Sequence, residues 1–329
     1  MKPIRFRISG TGEYLPRRKV SGSELARSVG LRERDLVDQG VTERRWASPD
    51  ETSSFMGAEA ARCALDEAGW KASELDLIVG ACGVMEQPIP GTAALIQRRL
   101  GIGDSGTPCF DVNATCLSFL VAFDRVLAGF ALGQWKRALI VGADIASAAL
   151  DFSDPETSVL FSDGAAAVAL EADGPHRRLA LRLETYGDAA DACRLEAGGT
   201  RLRPRDDLAG FLERASFQMD GKAVFRATSR PFPRFLARLL DEAGVGPEDV
   251  DLIIPHQASA AALEHLKRAL PNGHAKTLDL FADIGNQIAV SLPLSLHRAR
   301  GLGRVRAGER TLMIGSSAGV SLGGAVMVW

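Results

Sequence analysis

The stretch Ala64-Leu65-Asp66-Glu67-Ala68-Gly69 returns as Leu239-Leu240-Asp241-Glu242-Ala243-Gly244, 175 residues further along the chain. Two more pairs follow in the same order, at offsets of 175 and 173 residues: 76–78 with 251–253, and 137–142 with 310–315. Three ordered matches at nearly one offset indicate an internal duplication. We therefore predict two similar halves, residues 1–175 and 176–329.

Each half alternates apolar strand-like runs with stretches of helical period. Residues 75–80 and 252–254 are typical of buried strands, and residues 55–68 and 232–243 repeat their apolar positions as helices do. Strands that alternate with helices favour an α/β fold with a mixed or parallel sheet.

Charge and composition exclude several classes of function. The net charge of −2 provides no basic field for nucleic acid or anionic lipid. The cluster Arg201, Arg203 and Arg205 is predicted to be a solvated loop, with a docking patch for an acidic partner as the alternative. No apolar run is long enough to span a bilayer, and the first residues show no signal core, so we expect no membrane segment.

Five scattered cysteines show no paired spacing, which argues against a disulfide framework or a metal site and favours a reducing compartment, the cytoplasm. Cys116 differs from the others because it follows a short strand and precedes an apolar helix over 117–132. At such a turn the helix dipole and free backbone N–H groups are expected to stabilise a thiolate. The remaining four are predicted to be small buried residues: Cys63, Cys82, Cys109 and Cys193.

Two more polar residues stand where strands end. His256 follows the predicted strand 251–254, and its counterpart in the first half is Ala81. Ligands bind at the carboxyl ends of strands in α/β sheets, so His256 is a candidate site residue. Asn286 precedes an apolar helix over 288–296 and, taken alone, is an N-cap. The small residues of 315–324 allow close backbone approach and can supply oxyanion donors.

The spacing of these motifs resembles the ketosynthase III family, the 3-oxoacyl-acyl-carrier-protein synthase III branch of the thiolase superfamily. The resemblance covers essentially the whole chain. It rests on five segments: 40–45, 111–116, 161–165, 255–258 and 285–286. It implies a thiolase fold, a duplicated five-layered α-β-α-β-α architecture, with the nucleophile in the first half and the His and Asn in the second.

The resemblance also implies an acyltransferase that needs no metal or cofactor and uses acyl-CoA or acyl-carrier-protein substrates. Cys116 would carry the acyl group, His256 and Asn286 would stabilise the enolate of a decarboxylated malonyl thioester, and the backbone of Cys116 and Ala318 would form the oxyanion hole. Further implications are a homodimer and an acyl carrier protein as partner. The residues implied are, for substrate binding, Ile89, Gly221, Val224, Phe225 and Ser259, and for carrier-protein docking, Arg226 and Arg268.

Several positions depart from the family pattern. Arg34 and Asp38 stand where a tryptophan and an arginine usually grip coenzyme A, and Ser259-Ala260-Ala261 replaces an Asn-Leu-Arg. Ser317-Ala318-Gly319 replaces a glycine triplet. These changes suggest a specialised synthase of secondary metabolism. Acyl transfer to a hydroxyl or amine is an alternative function that the same residues allow.

Two further functions agree less well with the residues present. Non-decarboxylative condensation is associated with a glutamate base at the position of Ile89, although Glu86 is near in sequence. A non-catalytic partner in a heterodimer would often have lost its Cys or His, and both are present here.

Overall fold

A nine-stranded sheet runs through the molecule, and each half of the chain contributes one side of it. The computed structural model describes residues 3–329. Within them the strands are β1 Ile4–Tyr14, β2 Arg18–Ser21, β3 Glu43–Trp46, β4 Leu77–Gly80, β5 Cys109–Asp111, β6 Arg137–Asp144, β7 Gly164–Ala172, β8 His176–Thr185, β9 Cys193–Arg194, β10 Gln218–Met219, β11 Leu252–Pro255, β12 Arg310–Ser317 and β13 Ser321–Val328. The helices are α1 Gly22–Ser28, α2 Glu33–Asp38, α3 Ser53–Ala68, α4 Thr92–Arg99, α5 Ser118–Ala131, α6 Pro155–Ser158, α7 Leu208–Glu213, α8 Gly221–Ser229, α9 Phe232–Ala243, α10 Ala260–Ala269, α11 Gly273–Lys276, α12 Phe281–Ile284 and α13 Ser291–Gly301.

The strand order β5-β4-β6-β7-β1-β8-β13-β12-β11 repeats one pattern about its middle. β4 pairs parallel to β6 with Leu77 opposite Ala138, and β11 pairs parallel to β12 with Leu252 opposite Thr311. Adding 175 to Leu77 gives Leu252, and adding 173 to Ala138 gives Thr311, so the two strand pairs have the same register. In each half the next strand is antiparallel. The duplicated α/β fold is thus confirmed, while the division at residue 175, in the turn between β7 and β8, stays a prediction.

Alternate residues of the strands face different helical layers. Leu77 and Leu252 point into one central layer that contains both α5 and α13, whereas Ile78 packs under α3 and α4 and Ile253 under α9 and α10. Both faces of the sheet are therefore buried, as in parallel sheets. This arrangement places the amino ends of α5 and α13 in the middle of the molecule.

Local contacts explain where element boundaries differ from prediction. The helix predicted over 232–243 begins and ends as expected. The helix predicted over 55–68 begins two residues earlier, at Ser53, because the Thr52 hydroxyl caps it by accepting the Phe55 N–H at 3.3 Å. β4 begins only at Leu77, and Asp76 just before it binds the start of β6 through both its backbone and its side chain. Its N–H donates to the Arg137 carbonyl at 2.9 Å, and its carboxylate accepts the backbone N–H groups of Lys136 and Arg137 at 2.8 and 2.9 Å.

The described part of the chain, residues 3–329, contains no helix with the length and apolarity that crossing a bilayer requires. The segment with Arg201, Arg203 and Arg205 is an exposed loop, as predicted.

Leu127 and Leu132 offer a matched test of the central layer. Leu127 lies on α5 with 0% of its surface exposed, whereas Leu132, just beyond the same helix, is 74% exposed. We expect Leu127→Ala to lower the free energy of unfolding by about 2–5 kcal/mol, because it leaves a cavity. Leu132→Ala should change it by less than about 0.5 kcal/mol. Urea denaturation of both variants measures the difference, and equal effects would contradict the layered packing.

Candidate active site

The turn that carries Cys116 is held in an unusual backbone conformation. Thr115, a β-branched residue, has a φ of 50°, in the left-handed region that such residues rarely adopt. Side chains on either side secure the turn: the Asn113 Oδ1 accepts the Thr115 N–H at 2.9 Å, and the Ser118 hydroxyl accepts the Ala114 N–H at 2.9 Å and donates to the Thr115 carbonyl at 2.7 Å. Local strain of this kind is common at functional sites.

Two backbone N–H groups lie close enough to the Cys116 sulfur to lower its pKa, those of Cys116 itself and of Ala318 in the turn between β12 and β13. Burial raises the pKa of this thiol, with smaller contributions from Cys193 and Asp144, and outweighs the opposite effect of the two N–H groups. The backbone N–H groups therefore favour the thiolate as expected, but burial outweighs them and shifts the balance towards the neutral thiol. Cys116 rests as a neutral thiol beside two N–H donors.

His256 follows β11 directly and is buried. Its N–H donates to the Ile314 carbonyl of β12 at 2.8 Å, and Gly315 leaves room for it, because a Cβ at that glycine would lie 2.7 Å from the His256 Cβ. Burial lowers the pKa of His256 to about 4, so the ring is neutral at pH 7. Within residues 3–329, its buried Nδ1 has no hydrogen-bond partner.

Asn286 is fixed at both its backbone and its side chain. Its N–H donates to the Leu160 carbonyl at 2.9 Å, its Oδ1 accepts the Ile288 N–H at 2.9 Å, and its Nδ2 donates to the Ala258 carbonyl at 3.3 Å. One amide hydrogen is left for a ligand. The interpretation of Asn286 as a plain N-cap is incorrect for the long helix, because a 3-10 turn over Ile288–Val290 separates Asn286 from α13.

The turn of Cys116 and the segment after Asn286 meet at Gly83, and Asp144 lies next to them. A Cβ at Gly83 would lie 2.4 Å from the Ile288 side chain and 3.4 Å from the Thr115 carbonyl oxygen, so only glycine lets them approach. The Asp144 carboxylate accepts the N–H groups of Gly83 and Val84 at 2.8 Å and that of Ala289 at 2.9 Å. Burial raises the pKa of Asp144 to about 7, although these three bonds lower it.

Sequence reasoning missed Asp144. It is the last residue of β6, a buried strand, and a polar residue at a strand end is the signal that identified His256.

The other cysteines divide into three environments. Cys82 is buried as predicted, whereas Cys63 is exposed on α3, since it lies on the solvent side of that helix. Cys109 and Cys193 are half-buried. The sequence assigns Cys193 to structure alone, yet it lies near enough to Cys116 to raise the pKa of that thiol.

A cleft beside His256 runs between α8, α9 and α10. Phe225, one of the predicted substrate-binding residues, lines it together with other mostly apolar residues: Thr228, Phe232, Ala258, Ala262, Leu263, His265 and Leu266. Gly221 and Val224 lie on α8 outside this lining, and a Cβ at Gly221 would lie 2.5 Å from the Glu156 Oε1. Ser259 caps α10, with its hydroxyl accepting the Ala262 N–H at 3.2 Å.

Three of the predicted residues lie at the surface. Ile89 is 86% exposed. Arg226 is exposed on α8, and Arg268 on α10 pairs with Glu264 at 2.9 Å. The structure thus brings Cys116, Ala318, His256 and Asn286 into one region and leaves Ile89, Arg226 and Arg268 outside it.

The chain is similar to known proteins along its whole length. Residues 110–189 match the profile of 3-oxoacyl-[acyl-carrier-protein (ACP)] synthase III, and residues 240–329 match its C-terminal profile. The chain is 36% identical to the acetoacetyl CoA synthase NphT7 of Streptomyces sp. (strain CL190), over 100% of both chains. It is 35% identical to the beta-ketoacyl-[acyl-carrier-protein] synthase III of Laribacter hongkongensis (strain HLHK9), over 98% of both.

The chain belongs to the 3-oxoacyl-[acyl-carrier-protein] synthase III family. Its structure superimposes on the 3-oxoacyl-[acyl-carrier-protein] synthase III of Aquifex aeolicus VF5 with a TM-score of 0.88 and 30% identity, over 99% of this chain and 100% of the other. The expectations of a thiolase fold and of a ketosynthase III-like acyltransferase are confirmed.

The high thiol pKa of this synthase predicts how Cys116 reacts with alkylating agents. Because burial holds the pKa of Cys116 above its usual range, the reactive thiolate should increase about tenfold for each pH unit between about pH 6 and 9. Iodoacetamide alkylation of the Cys116 peptide, followed by mass spectrometry, measures this. A rate that levels off below about pH 8 would show instead that the turn stabilises the thiolate.

Proposed function

We propose that this synthase loads an acyl group onto Cys116 and then extends it by decarboxylative Claisen condensation with a malonyl thioester, giving a 3-oxoacyl product. The observation that carries the proposal is the position of Cys116 near the backbone N–H of Ala318, in a site that also contains a neutral His256 and an Asn286 amide with one hydrogen free. Such a set supplies a nucleophile, an oxyanion site and two hydrogen-bond donors from the chain's own atoms.

In the first step the Cys116 sulfur attacks the carbonyl of an acyl thioester. The N–H groups of Cys116 and Ala318 lie where they can receive the negative oxygen of the tetrahedral intermediate. The carbon–sulfur bond to the donor then breaks, and the thiol proton of Cys116 leaves with the departing thiol. The acyl group is now a thioester of Cys116.

In the second step a malonyl thioester occupies the same site and loses carbon dioxide. The electrons of the broken carbon–carbon bond pass into an enolate, whose oxygen receives hydrogen bonds from His256 and the free amide hydrogen of Asn286. The enolate carbon attacks the acyl carbonyl, the Cys116 sulfur leaves, and a proton from solvent restores the thiol. A neutral His256 can donate throughout the physiological range, because its pKa is about 4.

An acyl carrier protein is the partner that the surface near the cleft favours. Lys222, Arg226 and Arg230 are spaced four residues apart along α8 and its C-cap, all three are exposed, and among the described residues none is ion-paired. A basic stripe of this kind attracts an acidic partner. Coenzyme A thioesters are the alternative donors and need no further cofactor.

A second copy of the chain is the other partner that we infer. Ile89 is 86% exposed, and Phe110 is 43% exposed on β5, an edge strand of the sheet. Exposed apolar groups beside a sheet edge mark an interaction surface. Five free thiols support placing this homodimer in the reducing cytoplasm.

The departures around the cleft support a specialised role in secondary metabolism. Ala260 and Ala261 stand where family members usually carry larger residues, and a relative named acetoacetyl CoA synthase matches this chain along its full length.

For non-decarboxylative condensation a glutamate base is needed. Glu86 is engaged elsewhere, since its carboxylate accepts the Ser54 N–H at the start of α3 at 2.5 Å.

Intact-mass measurement on three variants tests the proposal. Wild type, His256→Ala and Asn286→Ala should gain the mass of an acyl group from a panel of acyl-CoA and acyl-carrier-protein donors, and Cys116→Ala should not. After addition of malonyl thioester, His256→Ala and Asn286→Ala should form 3-oxoacyl product about 100-fold or more slowly, because each removes an enolate donor.

His274→Ala is the matched control, since His274 is exposed on α11, and it should behave as wild type. Acylation that persists in Cys116→Ala would exclude the assigned nucleophile. Acylation without product from any malonyl donor would favour transfer to a hydroxyl or amine. No acylation of the wild type would favour the non-catalytic partner.

A further inference from the structure

Arg44 is a buried guanidinium whose partners are carbonyl groups. The residue belongs to β3 and has 0% of its surface exposed. Its Nε donates to the Val159 carbonyl at 2.9 Å, and its Nη1 donates to the carbonyls of Glu43, Phe281 and Ala282 at 2.7, 3.1 and 3.1 Å. Among residues 3–329 it forms no ion pair, and its Nη2 has no hydrogen-bond partner.

These contacts surround the segment that presents Asn286. Phe281 and Ala282 form the start of α12, and the guanidinium lies 4.8 Å from the centre of the Phe281 ring. Gly285, with a φ of 63°, comes directly before Asn286, and a Cβ there would lie 2.6 Å from the Arg44 Nε. Arg44 thus fills the space under the turn that leads into Asn286.

Arg44 also holds the other side of Asn286. The carbonyl that its Nε binds belongs to Val159, and the carbonyl of the next residue, Leu160, accepts the Asn286 N–H at 2.9 Å. Two residues later, the Ser162 N–H donates to the Asn286 carbonyl at 3.0 Å. A single side chain therefore links the segment before Asn286 to the segment that binds its backbone.

A purely structural role does not explain why a guanidinium is buried at Arg44. A buried charge that forms no direct ion pair is costly, and an apolar side chain of similar volume usually stabilises a core at least as well. A guanidinium, however, holds its N–H donors in one fixed plane and can lock several carbonyls in one geometry.

We propose that Arg44 is a positioning residue for Asn286, and that it acts on the decarboxylation and condensation steps rather than on acylation of Cys116. The inference rests on the proposed function. Arg44 contacts the segment of Asn286, whereas the turn of Cys116 is secured by Asn113 and Ser118. Loss of Arg44 should therefore slow the enolate step alone.

The test is a double-mutant cycle with Arg44→Met and Asn286→Ala, read at two steps. Arg44→Met should acylate Cys116 at a rate within about threefold of wild type, because it leaves that turn unchanged. Release of carbon dioxide from a malonyl thioester by the acylated enzyme should fall at least about tenfold, through kcat rather than KM, because small displacements of a catalytic group are costly. Adding Arg44→Met to Asn286→Ala should slow release no further, since both changes remove the same interaction.

Arg45→Met is the matched control. Arg45 is the next residue of β3, its Nη1 donates to the Pro16 carbonyl at 3.1 Å, and the variant should release carbon dioxide within about twofold of wild type. If Arg44→Met does not fold, Arg44→Lys enters the same cycle with the same expectations.

An equal fall in acylation and carbon dioxide release, or effects of Arg44 and Asn286 that multiply in the double variant, would overturn the positioning role while leaving the proposed function intact. A wild type that acylates but releases no carbon dioxide would overturn the proposed function and this inference with it.

Discussion

The close approach of the Ala318 N–H to the Cys116 sulfur joins the two halves of the chain at the point where the chemistry is proposed. Cys116 stands at the amino end of α5, whereas Ala318 lies in the turn between β12 and β13. They meet because both sheet halves share one strand pattern and pack on opposite faces of the layer formed by α5 and α13. The duplicated fold thus builds a site that neither half contains alone.

Burial determines the electrostatics of this site. It keeps the Cys116 thiol and the His256 ring neutral, so the resting site holds no thiolate–imidazolium pair. Charge then develops only during reaction, near the N–H groups of Cys116 and Ala318, where a low dielectric makes such donors effective. The ionisable groups nearby, Arg44 and Asp144, instead bind backbone carbonyl and N–H groups on the two sides of Asn286. Both fix loops.

Sequence patterns are sufficient for the features that depend on local order. The duplication, the helix over 232–243, the strand before His256 and the turn at Cys116 all follow from period, offset and residue type. Patterns fail where the outcome depends on distant neighbours. The pKa of Cys116 reflects its burial, and Asn286 is held by the distant Leu160 and Ala258 as well as by the 3-10 turn that follows it. Asp144 binds Ala289 across 145 residues, which no local pattern reveals.

The central claim is that carbon dioxide loss and carbon–carbon bond formation occur at one thiol site. The most direct measurement uses a malonyl thioester labelled with ¹³C in its free carboxyl group, mixed with the acyl-Cys116 enzyme in a single turnover. The account predicts one labelled carbon dioxide for each 3-oxoacyl thioester formed, with no label in the product. A product that retains the label, or acyl transfer without any release of labelled carbon dioxide, would contradict it.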